Sequence, residues 1–536
     1  MHRGKEMSEI FKETDVLLPD LWCHYATHSG DRIALSQGDR AVCWRDFNRM
    51  MNLIANALLS IGVGKGNRVA VLMPSRIETV EIMFGIVKAG ACVVPLSSML
   101  TPQQIAVMLD DSGAEVVFAD ETTRPLIDGA RSSRSGATPL TPVGLGAAGE
   151  GWRAFEDFIA GASDAEPPVS SRLSDVFSII YSSGTTGTPK GIAHTHRARM
   201  HFALSNALEM AFDSTTRALV STSLYTTATW IMILPTLLAG GTLVILPQFT
   251  PTAFVETVHA AGISHAFIVP TQIAALLRDP VLDGTKLGSL RCLLSAGSTL
   301  TPSVKEELAR RITPRLFELY GCSEGVATLL RPEHPVSKTG SVGKPHLGHD
   351  IRIVGADDWE AGTDEPGEIC GFSAGLLAEY LGKADLTREA AWCAPDGRPF
   401  FRTGDIGRID ADGFIYILGR KKDMIISGGL NIYPADIEAV IGDHPDVQEV
   451  AVVGVPHEKW GETPVALIVM RAGSASTEQD ILSWLESRLA KHQRPTRAAF
   501  VDNLKRNMLG KLLKREIRDD YLETLMSNDA QAQADH

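Results

Sequence analysis

Short apolar runs alternate with helical repeats along most of this chain, and glycines punctuate the changeovers. "RVAVLMP" (68–74) is a continuous apolar strand after a glycine-rich turn. "IETVEIMFGIVKAGACVVPL" (77–96) reads as a helix, a glycine stop and a second buried strand. "HAAGISHAFIVP" (259–270) repeats helix end, turn and strand, and "LRCLLSAGSTL" (290–300) is another apolar run ending in small residues. Strands this uniformly apolar are covered on both faces. The pattern therefore predicts α/β layers with buried, largely parallel sheets. The stretch 131–151, rich in Ser, Gly and Pro, predicts a surface excursion.

The character changes after about Tyr416. "FIYILGRKKDMIISGGLNIYPADIEAVI" (414–441) gives a strand, a charged turn, a glycine loop and a helix beginning near Pro434. "VQEVAVVGV" and "PVALIVM" are further strands, and "EQDILSWLESRLA" is an amphipathic helix. The division expected is an N-terminal domain over 1–419, a small α+β domain over 420–520 and a disordered tail over 521–536, which ends "SNDAQAQADH". A cleft between the two units is the default place for a ligand.

The chain's 536 residues require more than one ordinary domain, and 44% hydrophobic content permits a substantial core. A formal charge of −13 argues against a general nucleic-acid binder. The seven cysteines form no CxxC pair and read as buried free thiols. "TATWIMILPTLLAGGTLVIL" (227–246) is the most membrane-like run. Pro235 and paired glycines make it helix, turn and buried strand rather than an integral membrane span. The N-terminus lacks a signal-peptide apolar core, so a soluble intracellular protein is expected.

Candidate chemistry begins at "YSSGTTGTPKGIAHTH" (181–196). Gly184, Gly187 and Gly191 let backbone N–H groups approach a ligand closely. Ser182, Ser183, Thr185, Thr186 and Thr188 add hydroxyls, and Lys190 adds positive charge. Together these suit several phosphate oxygens, although the spacing is not that of a Walker loop. Composition alone leaves a solvated turn as the alternative.

"SSGTTGTPKG" closely resembles the phosphate loop of the AMP-forming adenylating enzymes, which include acyl-CoA synthetases, peptide-synthetase adenylation domains and firefly-type luciferases. The resemblance covers roughly residues 20 to 518. It implies that the loop closes over the β and γ phosphates of ATP. "YGCSEG" (320–325) resembles a segment in which Tyr320 stacks near adenine, Gly321 and Ser323 line the site and Glu324 holds magnesium. Gly297 and Ser298 are further nucleotide contacts implied by the same resemblance. "FRTGD" brings Asp405, a ribose-hydroxyl acceptor in relatives, and "LGRKKD" brings Arg420 and the hinge-position Lys422. "KRNMLGKLLK" supplies Lys511 at the position of the catalytic lysine, with Lys505 where a proline is usual. Singly, each of these has a bland reading as a surface charge, a turn cap or a core ring. Their joint occurrence in family order outweighs those readings.

What the resemblance implies is a carboxylate attacking the α-phosphorus of ATP, then transfer of the acyl group to a thiol. Lys511, Glu324 with Mg2+, and the loop around Thr185 and Thr186 would stabilise charge on the phosphates. The small domain would be mobile, turning between half-reactions so that Lys511 leaves and "ISGGLN", with Gly428 and Gly429, approaches a coenzyme A channel. "KWGE" and "HQRP" liken the small domain to benzoate- and chlorobenzoate-type CoA ligases. That likeness makes Trp460 a candidate for the CoA nucleotide and Arg494 for its phosphate.

In the expected acid pocket, "STSLYTTATW" (221–230) has Thr226 at the common histidine position and no aspartate for a substrate amine. Tyr225, Thr226, Trp230 and Val269 are the candidate substrate contacts, in mainly neutral surroundings without an arginine for a second carboxylate. Thr226 and Thr229 could meet a polar ring substituent or point into the core. The expectation is a cytoplasmic, ATP-dependent carboxylate–CoA ligase for an aromatic or hydrophobic monocarboxylate. The alternatives are acyl loading of a carrier protein and a noncatalytic scaffold. The oligomeric state stays open, a homodimer included.

Overall fold

The computed structural model describes residues 15–136, 138–146, 149–169, 171–182, 189–282, 287–428, 430–506 and 512–534. Two large sheets form the body. In one, Arg68–Leu72, Cys92–Pro95, Val116–Asp120, Thr141–Leu145 and Val176–Ser182 are linked by parallel pairings. In the other, Arg217–Val220, Thr242–Ile245, His265–Ile268, Cys292–Ala296 and Leu316–Gly321 are parallel neighbours. The predicted run 227–246 resolves into helix Thr227–Ala239, a left-handed Gly240 and strand Thr242–Ile245. Among the described residues no helix is long and apolar enough to cross a membrane.

The all-round apolar helix Ile77–Lys88 is buried along almost its whole length, as a helix packed on every side must be. One core cluster joins it to helix Thr227–Ala239 and to strands of both sheets. Trp230 sits at its middle, with Phe84 and Phe177 ring centroids 6.4 and 6.2 Å away and the Arg199 guanidinium 4.8 Å over its ring.

A third, antiparallel sheet contains His349–Val354, Gly367–Ser373, Ala391–Cys393, Pro399–Ile409 and Ile415–Arg420. A fourth, built from Ile425–Ser427, Leu430–Ile432, Val447–His457, Gly461–Met470 and Arg497–Phe500, forms the smaller C-terminal domain with its own core. Between the two sheets lies only the single turn Lys421–Asp423 and Met424.

Two expectations need correction. The 131–151 stretch is not only an excursion, because Thr141–Leu145 pairs in parallel with Val116–Asp120 and places Val143 in the core. Residues 521–534 continue helix Lys514–Ala534 rather than forming a disordered tail. Ile517, Tyr521 and Leu522 anchor that helix on the small sheet, and its Ala, Gln, Glu and Leu residues propagate it despite their polarity. Of the seven free cysteines, Cys92, Cys292 and Cys370 are buried and Cys393 is exposed.

Candidate active site

The C-terminal ends of the second sheet's parallel strands open onto a cavity of about 550 Å³. Such ends are the usual ligand position in open α/β sheets. Ala296 and Gly297 stand at the end of one strand, and Leu319, Gly321, Cys322 and Ser323 at the end of the next. Gly297 has φ +100°, a backbone conformation that a side chain would strain. At Gly321 an added Cβ would stand 2.5 Å from the Val326 carbonyl oxygen, so the strand reversal there requires glycine. No Asp, Glu, Lys or Arg lines this cavity among the described residues.

Tyr320, Asp405 and Arg420 come together from three strands. The Tyr320 phenol donates to Asp405 Oδ2 at 2.8 Å, and Arg420 Nε lies 2.9 Å from Oδ1. Asp405 and Arg420 are also cross-strand partners. Burial, with the Asp405 charge beside it, raises the Tyr320 phenol, so the ring oxygen stays a donor. The carboxylate keeps lone pairs beyond the two in use.

Glu324 accepts from the Tyr380 phenol at 2.8 Å. Tyr380 stands on strand Glu379–Tyr380, which pairs with the strand leaving the glycine-rich loop. The Lys190 ammonium lies 5.5 Å from the same ring, and Lys383 donates to the Pro189 carbonyl at 2.7 Å. Tyr380 and Lys383 thus fix the exit of the loop and the acidic candidate together. Sequence reading missed both, since "AEYLGK" carries no motif and only strand pairing places it. Burial and the Glu324 charge push the Cys322 thiol well up, which removes it as a nucleophile.

The donor set fits magnesium. Among the described residues no group of three potential ligands gathers. Mg2+ commonly takes one or two carboxylates and fills its shell with phosphate oxygens and water, so Glu324 alone is a sufficient protein ligand.

Tyr225 and Thr226 line the cavity. Thr226 Oγ1 accepts from the Thr229 backbone N–H and so caps helix Thr227–Ala239, while the Thr226 and Thr229 hydroxyls, 2.8 Å apart, both reach the Ser223 carbonyl. Trp230 is a correction: it has no exposed surface and its indole donates to the Leu224 carbonyl at 2.8 Å behind the pocket wall. Val269 is a second correction, buried at the start of helix Pro270–Arg278 and off the cavity wall. Trp230 is adjacent in sequence to the lining residue Ile231 but points into the core, whereas no neighbour of Val269 in sequence lines the cavity.

In the small domain Gly428 has φ +57°, and its N–H donates to the Trp460 carbonyl at 2.8 Å. The half-exposed Trp460 stacks on His457 with centroids 4.3 Å apart. Arg494 donates to the Leu489 and Glu486 carbonyls and so caps the end of helix Glu478–Glu486. Lys421 is tied to Glu368 at 3.0 Å, whereas burial lowers the neighbouring Lys422 ammonium. Ser298 is partly exposed beside Gly297. Ser183, Gly184, Thr185, Thr186, Gly187, Thr188, Gly429 and Lys511 lie outside the described residues, as does the side chain of Ser182.

The sequence matches the AMP-binding enzyme family over residues 23–381 and the AMP-binding enzyme C-terminal domain over 436–511. The chain belongs to this family of adenylating enzymes. It is 33% identical over 490 residues to the long-chain-fatty-acid–CoA ligase FadD13 of Mycobacterium tuberculosis, covering 91% of this chain and 94% of that protein. It is 34% identical over 492 residues to the feruloyl-CoA synthase of an Amycolatopsis species, covering 90% and 95%. ATP-bound MatB from Rhodopseudomonas palustris superposes with a TM-score of 0.85 at 27% identity, over 94% of this chain and 99% of that one.

Proposed function

We propose that this protein is an ATP-dependent carboxylate–CoA ligase acting on a hydrophobic or aromatic monocarboxylate that carries no second charge. One observation carries the reading: an acid-sized cavity, with no charged side chain on its wall among the described residues, adjoins Tyr320–Asp405–Arg420 and Glu324–Tyr380 at the strand ends. A second carboxylate or an ammonium would meet no counter-charge there among the described residues, and burying either unpaired is costly.

In the first half-reaction a carboxylate oxygen of the acid bonds to the α-phosphorus. The bond from that phosphorus to the bridging oxygen breaks, and pyrophosphate leaves with the electron pair. Asp405 takes the ribose hydroxyls and Arg420 holds Asp405 in place. Tyr320, Gly297, Ser298, Gly321 and Ser323 border the nucleotide, while the loop 182–188 and Lys190 take the phosphates. Lys511 compensates charge at the reacting oxygens. Glu324 would hold Mg2+, which would supply further charge neutralisation on the phosphates.

In the second half-reaction the thiolate sulfur of CoA bonds to the acyl carbon, and AMP leaves with its oxygen. Lys422 marks the pivot, supported by the single turn at Lys421–Asp423 that links two independently cored sheets. Gly428 and Gly429 border the thiol path, and Trp460 offers a ring to the CoA nucleotide. Arg494 reaches its phosphate only by giving up its helix-capping bonds. A cytoplasmic setting supplies both ATP and CoA.

The test is a panel of carboxylic acids with ATP and Mg2+, with and without CoA. The expected result is pyrophosphate release and an acyl-CoA detected by mass spectrometry. Thioester formed only on a carrier protein would replace CoA as acceptor. No adenylate across a broad panel would sink the enzyme reading.

A further inference from the structure

Three histidines meet on the wall of the acid cavity, and nothing above uses them. His201 comes from helix His196–Glu209, and His346 and His349 flank the turn that enters strand His349–Val354. The His201 and His349 ring centroids are 5.5 Å apart, and those of His346 and His349 5.4 Å.

The backbone is shaped around them. At Gly348, with φ +77°, an added Cβ would stand 2.5 Å from His201 Cε1. At Gly375 an added Cβ would stand 3.1 Å from His201 Cδ2. Two glycines therefore make the space for one imidazole. His346 is only 2% exposed, yet neither of its ring nitrogens has a hydrogen-bond partner among the described residues. His201 Nε2 is likewise buried and unpartnered. His349 is engaged at both nitrogens, with Nδ1 3.3 Å from the Leu347 carbonyl oxygen and Nε2 3.2 Å from the Gly325 carbonyl oxygen, and so orients the cluster while His201 and His346 keep nitrogens free among the described residues. Buried polar atoms without partners are uncommon, and here two of the three rings have them on one cavity wall.

Burial holds all three rings uncharged at neutral pH: His346 falls to about 3, His349 to about 4, and His201 is also lowered. A neutral imidazole presents one N–H donor and one bare nitrogen acceptor. A hydroxyl both donates and accepts, so it matches such a pair. Among the described residues of the cavity wall a second carboxylate would find only neutral rings at this site, and an amine would find no acidic partner.

We propose that His201, His346 and His349 form a recognition site for a hydroxyl group carried by the acid. The preferred substrate is then a hydroxylated acid with no charge besides its reacting carboxylate, such as a phenolic one, over the same skeleton without the hydroxyl. This rests on the ligase reading above and specifies its substrate class.

The test compares 3-phenylpropanoic acid with its three ring-hydroxylated isomers and its 4-carboxy analogue. kcat/KM for thioester formation is measured, and acid affinity is read separately by calorimetry. At least one hydroxylated isomer should be preferred by about tenfold or more, the scale of a buried hydrogen bond. His346→Phe should bring that ratio to within about twofold of one, and His346→Gln should restore part of it. An unsubstituted acid that binds and turns over as well as every isomer in the wild type would overturn the proposal, whatever the variants do. Preference for the 4-carboxy analogue would overturn it too. Hydroxyl-selective binding without thioester from any acid would remove the ligase reading and leave the histidine site standing.

Discussion

Replacing Asp405 with asparagine tests whether the carboxylate that clasps Tyr320 and Arg420 is also the proposed nucleotide contact. The carboxylate is 6% exposed, bonded to the Tyr320 phenol at 2.8 Å and paired with Arg420 at 2.9 Å. Asparagine keeps the shape and one acceptor oxygen but loses the charge and turns an NH₂ toward one of the two donors. Hydrogen bonds to charged groups contribute about 1.5–3 kcal/mol each. With one partner retained and Arg420 part-exposed, the stability loss should be about 1–3 kcal/mol. If the same carboxylate also accepts the ribose hydroxyls, removing its charge should raise KM for ATP by about 10- to 100-fold, or about 1.4–2.7 kcal/mol. Tyr320→Phe is the control. It removes one donor and leaves the charge, so it should cost about 1 kcal/mol of stability and shift KM for ATP only a few-fold. Denaturant melts and initial rates of pyrophosphate release at varied ATP measure both quantities. The reasoning is refuted if the two variants lose stability as stated while Asp405→Asn leaves KM for ATP within threefold of Tyr320→Phe.

Further outcomes follow from other parts of the molecule. Lys511→Ala should slow adenylate formation by about 100-fold or more, the scale of losing one transition-state donor. CoA attack on supplied acyl-adenylate should be far less affected, and equal loss in both steps would contradict the division of labour. Burial beside Glu78 raises Glu81 from 4.5 to about 8. The folded state therefore holds that proton where the unfolded chain releases it. Its contribution is complete below about pH 4.5 and is lost as pH rises through about 8. Glu81→Gln should match the wild type at about pH 5 and exceed it at about pH 9 by at most about 5 kcal/mol, read from urea midpoints; no opening of that gap rejects the assignment. Trp230→Ala should destabilise by about 3–5 kcal/mol as a core truncation. A selective change in acid KM without a fall in Tm would return Trp230 to the pocket wall.

The layered α/β architecture was legible because its signals are local. Apolar runs such as 68–72 and 92–95 become strands wherever both faces are covered, and the glycines at 90, 240 and 262 end their helices in left-handed turns. The candidate residues of the site were legible because linear motifs carry them. Errors came where neighbours in sequence diverge in space. Thr226 faces the cavity and Trp230, one helical turn on, faces the core. The tail's polarity suggested disorder, but helix propensity and anchoring at Ile517 and Tyr521 carry the helix on to Ala534.

By itself the sequence determined the succession of helices and strands, the family, and the candidate side chains for phosphate, ribose and metal. Those depend on spacing along the backbone, which any reader of the chain can count. Only the tertiary structure decided that Tyr380 would brace Glu324 across 56 positions, that Tyr320 and Arg420 would grip one carboxylate, and that three histidines would share a cavity wall. Such meetings are set by strand order and packing, in which each side chain's direction depends on what lies beneath it, and no period in the chain records that.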